Sequence, residues 1–216
     1  MDTGKQFVIT ISREVGSGGR TIGRKLAEKL GVRFCDKNLI NALVDKFKLS
    51  TGDIEMVKGQ KKNWLADLLE KYTPVPHAGA IGSTGVEFST AVTNEDLFKA
   101  ESEILRGLAE ASSCVIAGRS GFFILKDHPN KLDIFIQSSF SNRVSRVMER
   151  QGKNAEEAEK IIRRVDEMRE NYVQRYTSTS RYDSRNYDLV LNVDGLSSDE
   201  AVDIILAYIK AQGKAI

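Results

Sequence analysis

The sequence predicts an α/β fold in which short buried strands alternate with helices, and three observations carry that prediction. A β-branched run, Val8-Ile9-Thr10-Ile11, leads through a glycine-dense turn into a segment where Ile22, Leu26, Ala27 and Leu30 recur at helical spacing before Gly31. Further short apolar runs follow at 32–35, 113–117, 132–136 and 188–193, with helical periodicity between them. At 216 residues the chain is long enough for one sizeable core with an insertion.

Composition narrows the classes. Hydrophobic residues make up 41% and charged residues 29%, an ordinary balance for a globular chain, so disorder is not expected. A net charge of only +2 argues against a general nucleic-acid binder, which would carry a strongly basic face. The amino terminus lacks a charged, then apolar, then small-residue pattern, and no apolar run approaches the length of a membrane span; a cytoplasmic protein with no membrane partner is expected. Cys35 and Cys114 fall in or beside predicted strands without ligand spacing, which suits buried thiols in a reducing compartment.

The first turn, Ser12-Arg13-Glu14-Val15-Gly16-Ser17-Gly18-Gly19-Arg20-Thr21, is the centre of the prediction. Glycines let several backbone N–H groups converge without Cβ atoms in the way, and the following helix points its unpaired N–H groups and positive dipole end at the same place. Gly16, Ser17, Gly18, Gly19, Arg20 and Thr21 therefore form a candidate anion cradle, suited to nucleotide phosphates. The order of parts is that of a P-loop, but the match to G-x-x-x-x-G-K-[ST] is imperfect. Reading Arg20-Thr21 as the Lys-Ser/Thr pair leaves Glu14 where the first glycine belongs; aligning Gly16-Ser17-Gly18 instead puts Gly19 in the lysine's place. Either way the lysine is missing.

The second strand ends at Asp36, at the edge where open parallel sheets bind ligands; Asp36 also reads as the N-cap of the next helix, and the two roles are compatible. Residues 37–96 then break the rhythm, with helical segments at 39–47, 53–57 and 64–72 and turn chemistry over 73–85. This insertion is expected to act as a substrate-closing flap, with His77 a solvated loop residue. Regular order resumes with a helix over 94–111, marked by Leu97, Ile104, Leu105 and Leu108.

Gly118-Arg119-Ser120-Gly121 follows the third strand, and an arginine flanked by glycines there is placed to grip a phosphate bidentately. After the fourth strand, Arg143, Arg146 and Arg150 share one helical face. A second helix opens with an Asn154/Glu157 capping pair, carries Ile161, Ile162, Val165, Met168 and Tyr172 on one side, and places Arg163, Arg164 and Arg169 elsewhere. Arginine outnumbers lysine here, which phosphate clamping requires and solubility does not. The last helix opens with a Ser197/Glu200 capping box and ends at Gly213.

Taken together, these elements resemble the nucleoside monophosphate kinases of the P-loop superfamily, and in particular the cytidylate kinase-like branch. The resemblance covers nearly the whole chain. It rests on Ile9-Thr10-Ile11 before the Gly16-Ser17-Gly18 loop, the Phe34-Cys35-Asp36 strand end, Val115-Ile116-Ala117-Gly118-Arg119, the Arg143/Arg146 helix and Tyr187-Asp188-Leu189-Val190-Leu191-Asn192. It implies a five-stranded parallel sheet flanked by helices, with core segments 1–36, 97–149 and 186–216, a monophosphate-binding insertion over 37–96 and an arginine-rich lid over 150–185.

By the same resemblance, the γ-phosphoryl group of ATP would pass, with Mg²⁺, to a nucleoside monophosphate such as CMP. Gly16 to Thr21 would hold ATP phosphates, Thr21 would offer a hydroxyl near the metal, Asp36 would meet the acceptor's ribose and Arg119 its phosphate. Arg163, Arg164 or Arg169 would enter from the lid, and Arg20 would stand in for the lysine. Cytidylate kinases also carry an Asp before Gly118 and another after Arg119, where this chain has Ala117 and Ser120, and an acceptor-side arginine near Asn41 and Ala42. A catalytically degenerate nucleotide-binding regulatory protein, a kinase for a non-nucleotide metabolite and a non-nucleotide α/β binding module are the rival expectations.

Overall fold

The computed structural model describes residues 1–41 and 94–213. Five strands, β1 (Val8–Arg13), β2 (Arg33–Asp36), β3 (Cys114–Ala117), β4 (Lys131–Gln137) and β5 (Leu189–Asn192), form one sheet in the order β2-β3-β1-β4-β5. Every pairing is parallel. Among the described residues, helices lie between the strands, as the crossovers of parallel pairs require: α1 (Gly19–Leu30), α2 (Asn94–Ala111), α3 (Gly121–Ile124), α4 (Phe140–Gln151), α5 (Ala155–Thr177) and, after β5, α6 (Ser198–Gln212). The prediction of a five-stranded parallel sheet flanked by helices holds.

β1 is central and buried on both faces, which is why it reads as a continuous apolar run instead of an alternating one. Ile9 and Ile11 of β1 join Ile134 and Ile136 of β4 against Ile22 and Leu26 of α1 and Val202, Ile205 and Ile209 of α6. Each such side chain, fully removed from water, stabilises the fold by roughly 1.5–3 kcal/mol. On the other face, α3 packs against β1 so closely that the Cα of Gly121 looks onto Thr10 and Ile116. The consequence is a rigid layer whose carboxyl edge presents Arg13, Asp36, Gly118 and Ser138.

Helix ends follow the local chemistry. α1 closes at Gly31, left-handed at φ 65°, whose N–H reaches the carbonyls of Ala27 and Glu28. α5 and α6 open with the capping boxes Asn154/Glu157 and Ser197/Glu200. Asp36 caps the helical residues 37–41, its Oδ1 accepting from the N–H groups of Asn38 (3.0 Å) and Leu39 (3.2 Å).

One face assignment changes. On α5 the expected apolar side included Met168, yet Met168 is 59% exposed, while Ala158, Ile162, Asp166, Val173 and Thr177 are buried. The buried stripe is centred on an aspartate because α5 meets both apolar and charged partners: Ala158 and Ile162 pack with Val144 and Val147 of α4, and Asp166 meets Arg143 of α4 and Arg181 beyond α5.

Contacts divide the chain into two compact units, Met1–Leu39 with Ser113–Ile216, and Ile40–Ser112. Of the second unit the described part is helical, with Ala100, Ile104, Leu105 and Leu108 buried. The helices expected within 42–72, the flap over 73–93 and His77 lie outside the described residues. No helix among the described residues is long and apolar enough to cross a membrane.

Candidate active site

At the carboxyl end of β1 the chain folds into a loop held from several sides. The Glu14 N–H donates to the Ile136 carbonyl (3.1 Å) and the Val15 N–H to Asp166 Oδ1 (3.0 Å). Gly16 is left-handed at φ 82°, and a Cβ there would sit 2.7 Å from the Arg143 carbonyl oxygen, so both conformation and close approach require glycine. Thr21 and Ile22 donate to the Gly18 carbonyl (2.9 and 3.1 Å) as α1 begins.

These bonds leave a defined set of donors. Among the described residues the N–H groups of Gly16, Gly18 and Arg20 have no partner, and that of Gly19 reaches only Ser17 Oγ at 3.4 Å. Loop residues from Arg13 to Ile22 line a cavity of about 600 Å³ together with Arg146 and Arg150 of α4 and Arg169 of α5. A helix amino terminus, unpaired amides and arginines thus surround one space, the arrangement that favours an anion. Thr21 lines the same cavity, and its hydroxyl has no protein partner among the described residues.

The arginines fall into two kinds. Arg143 and Arg181 are buried and paired, with Arg143 Nη1 2.6 Å from Asp166 Oδ2 and Arg181 Nη1 3.4 Å from Asp166 Oδ1. Arg146 Nη1 donates to the Ser17 carbonyl (3.0 Å), while Arg169 Nη1 (3.2 Å) and Arg181 Nη2 donate to the Arg13 carbonyl. Arg13 differs from all of these, since its guanidinium has no hydrogen-bond or ion-pair partner among the described residues. Burial, then the neighbouring charges of Arg169 and Arg181, lowers its pKa to about 9; burial and Arg181 lower that of Arg169 as well.

The residues singled out from the sequence are only partly brought together. Gly16, Ser17, Gly18, Gly19, Arg20, Thr21 and Arg169 share the cavity wall. Arg20 is engaged by Asp36, with Nε at 2.7 Å and Nη2 at 2.5 Å from Oδ2, so the carboxylate accepts from α1 on one oxygen and from the 37–41 helix on the other. Arg119 lies beyond β3 in a left-handed conformation (φ 56°), followed by Ser120 at φ 52°. Two successive non-glycine residues in that region store about 1–2 kcal/mol each.

Arg163 and Arg164 are outside the cavity. Arg163 stacks over Phe140, its Cζ 4.6 Å from the ring centroid, and pairs with Glu159 at 3.8 Å; Arg164 is exposed. What periodicity missed is Arg13 and Asp166. Asp166 was detectable as the one acidic residue on the Ala158-Ile162-Val173 stripe. Arg13 carried a signal too, a cation at the strand end beside a loop that had none at the expected place.

The model of the cytidylate kinase-like family matches residues 8–195. A cytidylate kinase of Pyrobaculum aerophilum is 28% identical over 205 residues, covering 93% of this chain and 91% of that protein. Another from Methanothrix thermoacetophila is 26% identical, covering 95% of this chain and 99% of its own. Among solved structures, an uncharacterised protein from Eubacterium ventriosum superposes with a TM-score of 0.68 at 26% identity, over 95% of this chain and 99% of that one. Shikimate kinase from Bacteroides thetaiotaomicron superposes at 0.52 with 16% identity, over 94% and 98%, which bears on the fold alone.

Proposed function

The chain belongs to the cytidylate kinase-like family, and on that premise we propose that it is an ATP- and Mg²⁺-dependent phosphotransferase with CMP as acceptor. The observation that carries this reading is the convergence of unpaired loop amides with Arg13, Arg146, Arg150 and Arg169 around one cavity. In the transfer, the bond between the γ-phosphorus and the β,γ-bridging oxygen breaks and the bridging oxygen keeps the electron pair as ADP. A phosphate oxygen of the acceptor, already anionic, forms the new bond to phosphorus.

Phosphoryl transfer asks the protein for in-line positioning and charge neutralisation. The amides of Gly16, Gly18 and Arg20 fit the non-bridging oxygens of a triphosphate, and the arginines offset its charge. Thr21, through its partnerless hydroxyl on the cavity wall, is the residue that would hold Mg²⁺, which would supply neutralisation of the triphosphate's charge. Arg119, at the carboxyl end of β3, would hold the acceptor phosphate. Arg20 and Asp36 are locked to each other, so Asp36 would meet the acceptor's ribose, and Arg20 the donor phosphates, only once that pair opens.

The test is incubation with labelled ATP, Mg²⁺ and a panel of nucleoside monophosphates and small hydroxylated metabolites. Labelled CDP is expected, and transfer to nothing would overturn the proposal. A second reading, a nucleotide-binding regulator without catalysis, is favoured by Gly19, Ala117 and Ser120 standing where cytidylate kinases carry a lysine and two carboxylates. Micromolar binding of an ATP analogue with turnover at the buffer rate would decide for it. Transfer to a metabolite other than a nucleotide would instead reassign the acceptor.

A further inference from the structure

We propose that Arg13 supplies the cation this loop lacks, and that Arg13 and Gly19 act as one exchanged pair: the charge has moved from the loop's last turn to the end of β1, and the loop position has been emptied to let it in. This rests on the triphosphate reading above. With Gly16-Ser17-Gly18 as the fixed part of the loop, Gly19 takes the lysine's position. The structure supplies the reason that position is glycine. A Cβ on residue 19 would stand 2.7 Å from the Cβ of Arg13, 3.1 Å from its Cγ and 3.2 Å from the Cβ of Ile136, so the Arg13 stem, backed by Ile136, takes the space a side chain at 19 would need.

At its far end the Arg13 guanidinium lies against Gly118, another left-handed glycine (φ 86°); a Cβ there would sit 3.3 Å from Cζ and closer still to Nη1. Two missing side chains, at 19 and 118, thus frame one arginine. Its path runs from the loop at the start of α1 to the carboxyl end of β3, next to Arg119. A donor held by the loop and an acceptor held by Arg119 would meet between these two points.

The charge pattern agrees. Arg13 is surrounded by Arg169, Arg181 and Arg20, and the one carboxylate that attracts it, Asp36, is already bonded to Arg20. A partly buried guanidinium with cationic neighbours and no partner is a site whose counter-charge arrives with the ligand. Arg20, by contrast, has its Nε and Nη2 on Asp36. The ligand class is the terminal phosphate of a nucleoside triphosphate, with Arg13 contacting the γ-phosphoryl oxygens and remaining protonated throughout.

The experiment measures binding of AMP-PNP with Mg²⁺, ADP with Mg²⁺ and inorganic tripolyphosphate by calorimetry, together with turnover. Arg13→Gln keeps the stem over Gly19 and removes the charge. It should weaken AMP-PNP and tripolyphosphate by about tenfold to a hundredfold, the scale of a lost charge-assisted contact, and ADP by less. Turnover should fall by roughly a thousandfold, the scale of one transition-state donor. Gly19→Lys alone should bind as poorly as Arg13→Gln, because Arg13 is displaced, whereas Arg13→Gly combined with Gly19→Lys should recover most of the lost affinity.

That reversal of sign is not expected of a residue that only shapes the loop. If the wild type binds AMP-PNP and Arg13→Gln binds it equally well, the inference is overturned and the proposed function stands. If the wild type binds neither AMP-PNP nor tripolyphosphate, the triphosphate reading falls and this inference falls with it. Thermal melts of each variant identify any that fail to fold, and the Gln variant, which preserves packing, then decides.

Discussion

Two clusters of arginines lie side by side at the carboxyl edge of the sheet and do opposite things. In the knot formed by Arg143, Asp166 and Arg181, one buried carboxylate holds those two guanidinium groups and the Val15 N–H, with Arg169 Nη1 a more distant third partner at 3.9 Å. Around Arg13, Arg146, Arg150 and Arg169, cations line an open cavity, and Arg13 has no counter-ion. The residue type is the same; the supply of negative charge from the protein differs. Where a carboxylate is built in, arginine fixes the fold. Where it is withheld, as around Arg13, arginine waits for an anion.

The largest expected effect comes from breaking the knot. Asp166→Ala takes their shared carboxylate from two buried guanidinium groups, leaving Arg143 only the Glu14 carboxylate at 3.7 Å, and strips the Val15 N–H of its acceptor; it should destabilise the protein by about 3–5 kcal/mol, read from urea unfolding. A loss under about 1 kcal/mol would mean that the two arginines find water in the folded protein. On the cavity side, Arg169→Ala should cost roughly tenfold to a hundredfold in AMP-PNP affinity with a smaller change in stability, since its charge faces the ligand space.

Arg13→Met sharpens the contrast through its sign. Because the folded environment lowers the Arg13 pKa from 12.5 to about 9, the charged form is disfavoured by folding at neutral pH. Removing the charge should therefore raise the melting temperature of the ligand-free protein, by about 2–4 °C for each kcal/mol recovered, while abolishing the stabilisation that a triphosphate gives the wild type. A lower melting temperature would instead show that the charge contributes to the fold. Above pH 9 the penalty fades as Arg13 loses its proton, so the difference between variant and wild type should narrow there.

A smaller and pH-dependent effect lies at the start of α4. Asp194 accepts from Ser138 Oγ (2.6 Å) and the Ser139 N–H (3.0 Å), and these bonds hold its carboxyl well below the usual carboxylate range. Its folded pKa is depressed, so its contribution is present above the unfolded value of 3.8 and disappears as pH falls through the folded one. Asp194→Ala should melt lower than wild type at pH 7 and converge with it in strong acid. Smallest of all, Arg164→Ala, on the exposed face of α5, should change stability by less than about 0.5 kcal/mol and leave nucleotide binding unaltered.

Much of this architecture was legible in the sequence because it rests on local rules. The helix 94–111, the capping pairs Asn154/Glu157 and Ser197/Glu200 and the stop at Gly31 all lie where short-range chemistry puts them. The fold class followed from the alternation of β-branched runs with 3.6-residue periodicity. Face assignment failed on α5, where Met168 points out and Asp166 in, because what Asp166 meets comes from other elements: Arg143 of α4, Arg181 beyond α5 and the Val15 N–H of the first loop. No local pattern records which side chains will surround a face.

By itself, then, the sequence determined the order of strands and helices, the glycine loop before α1 and the excess of arginine after β4, since each depends on neighbours along the chain. The tertiary structure alone decided which arginines are neutralised and which face the cavity. Arg20 pairs with Asp36, Arg143 with Asp166, and Arg13 crosses Gly19 to reach Gly118 without a partner. The physical reason is that an ion pair depends on distance in space, and residues far apart in sequence come within 3 Å only when the sheet gathers its strand ends at one edge and α5 packs back on α4.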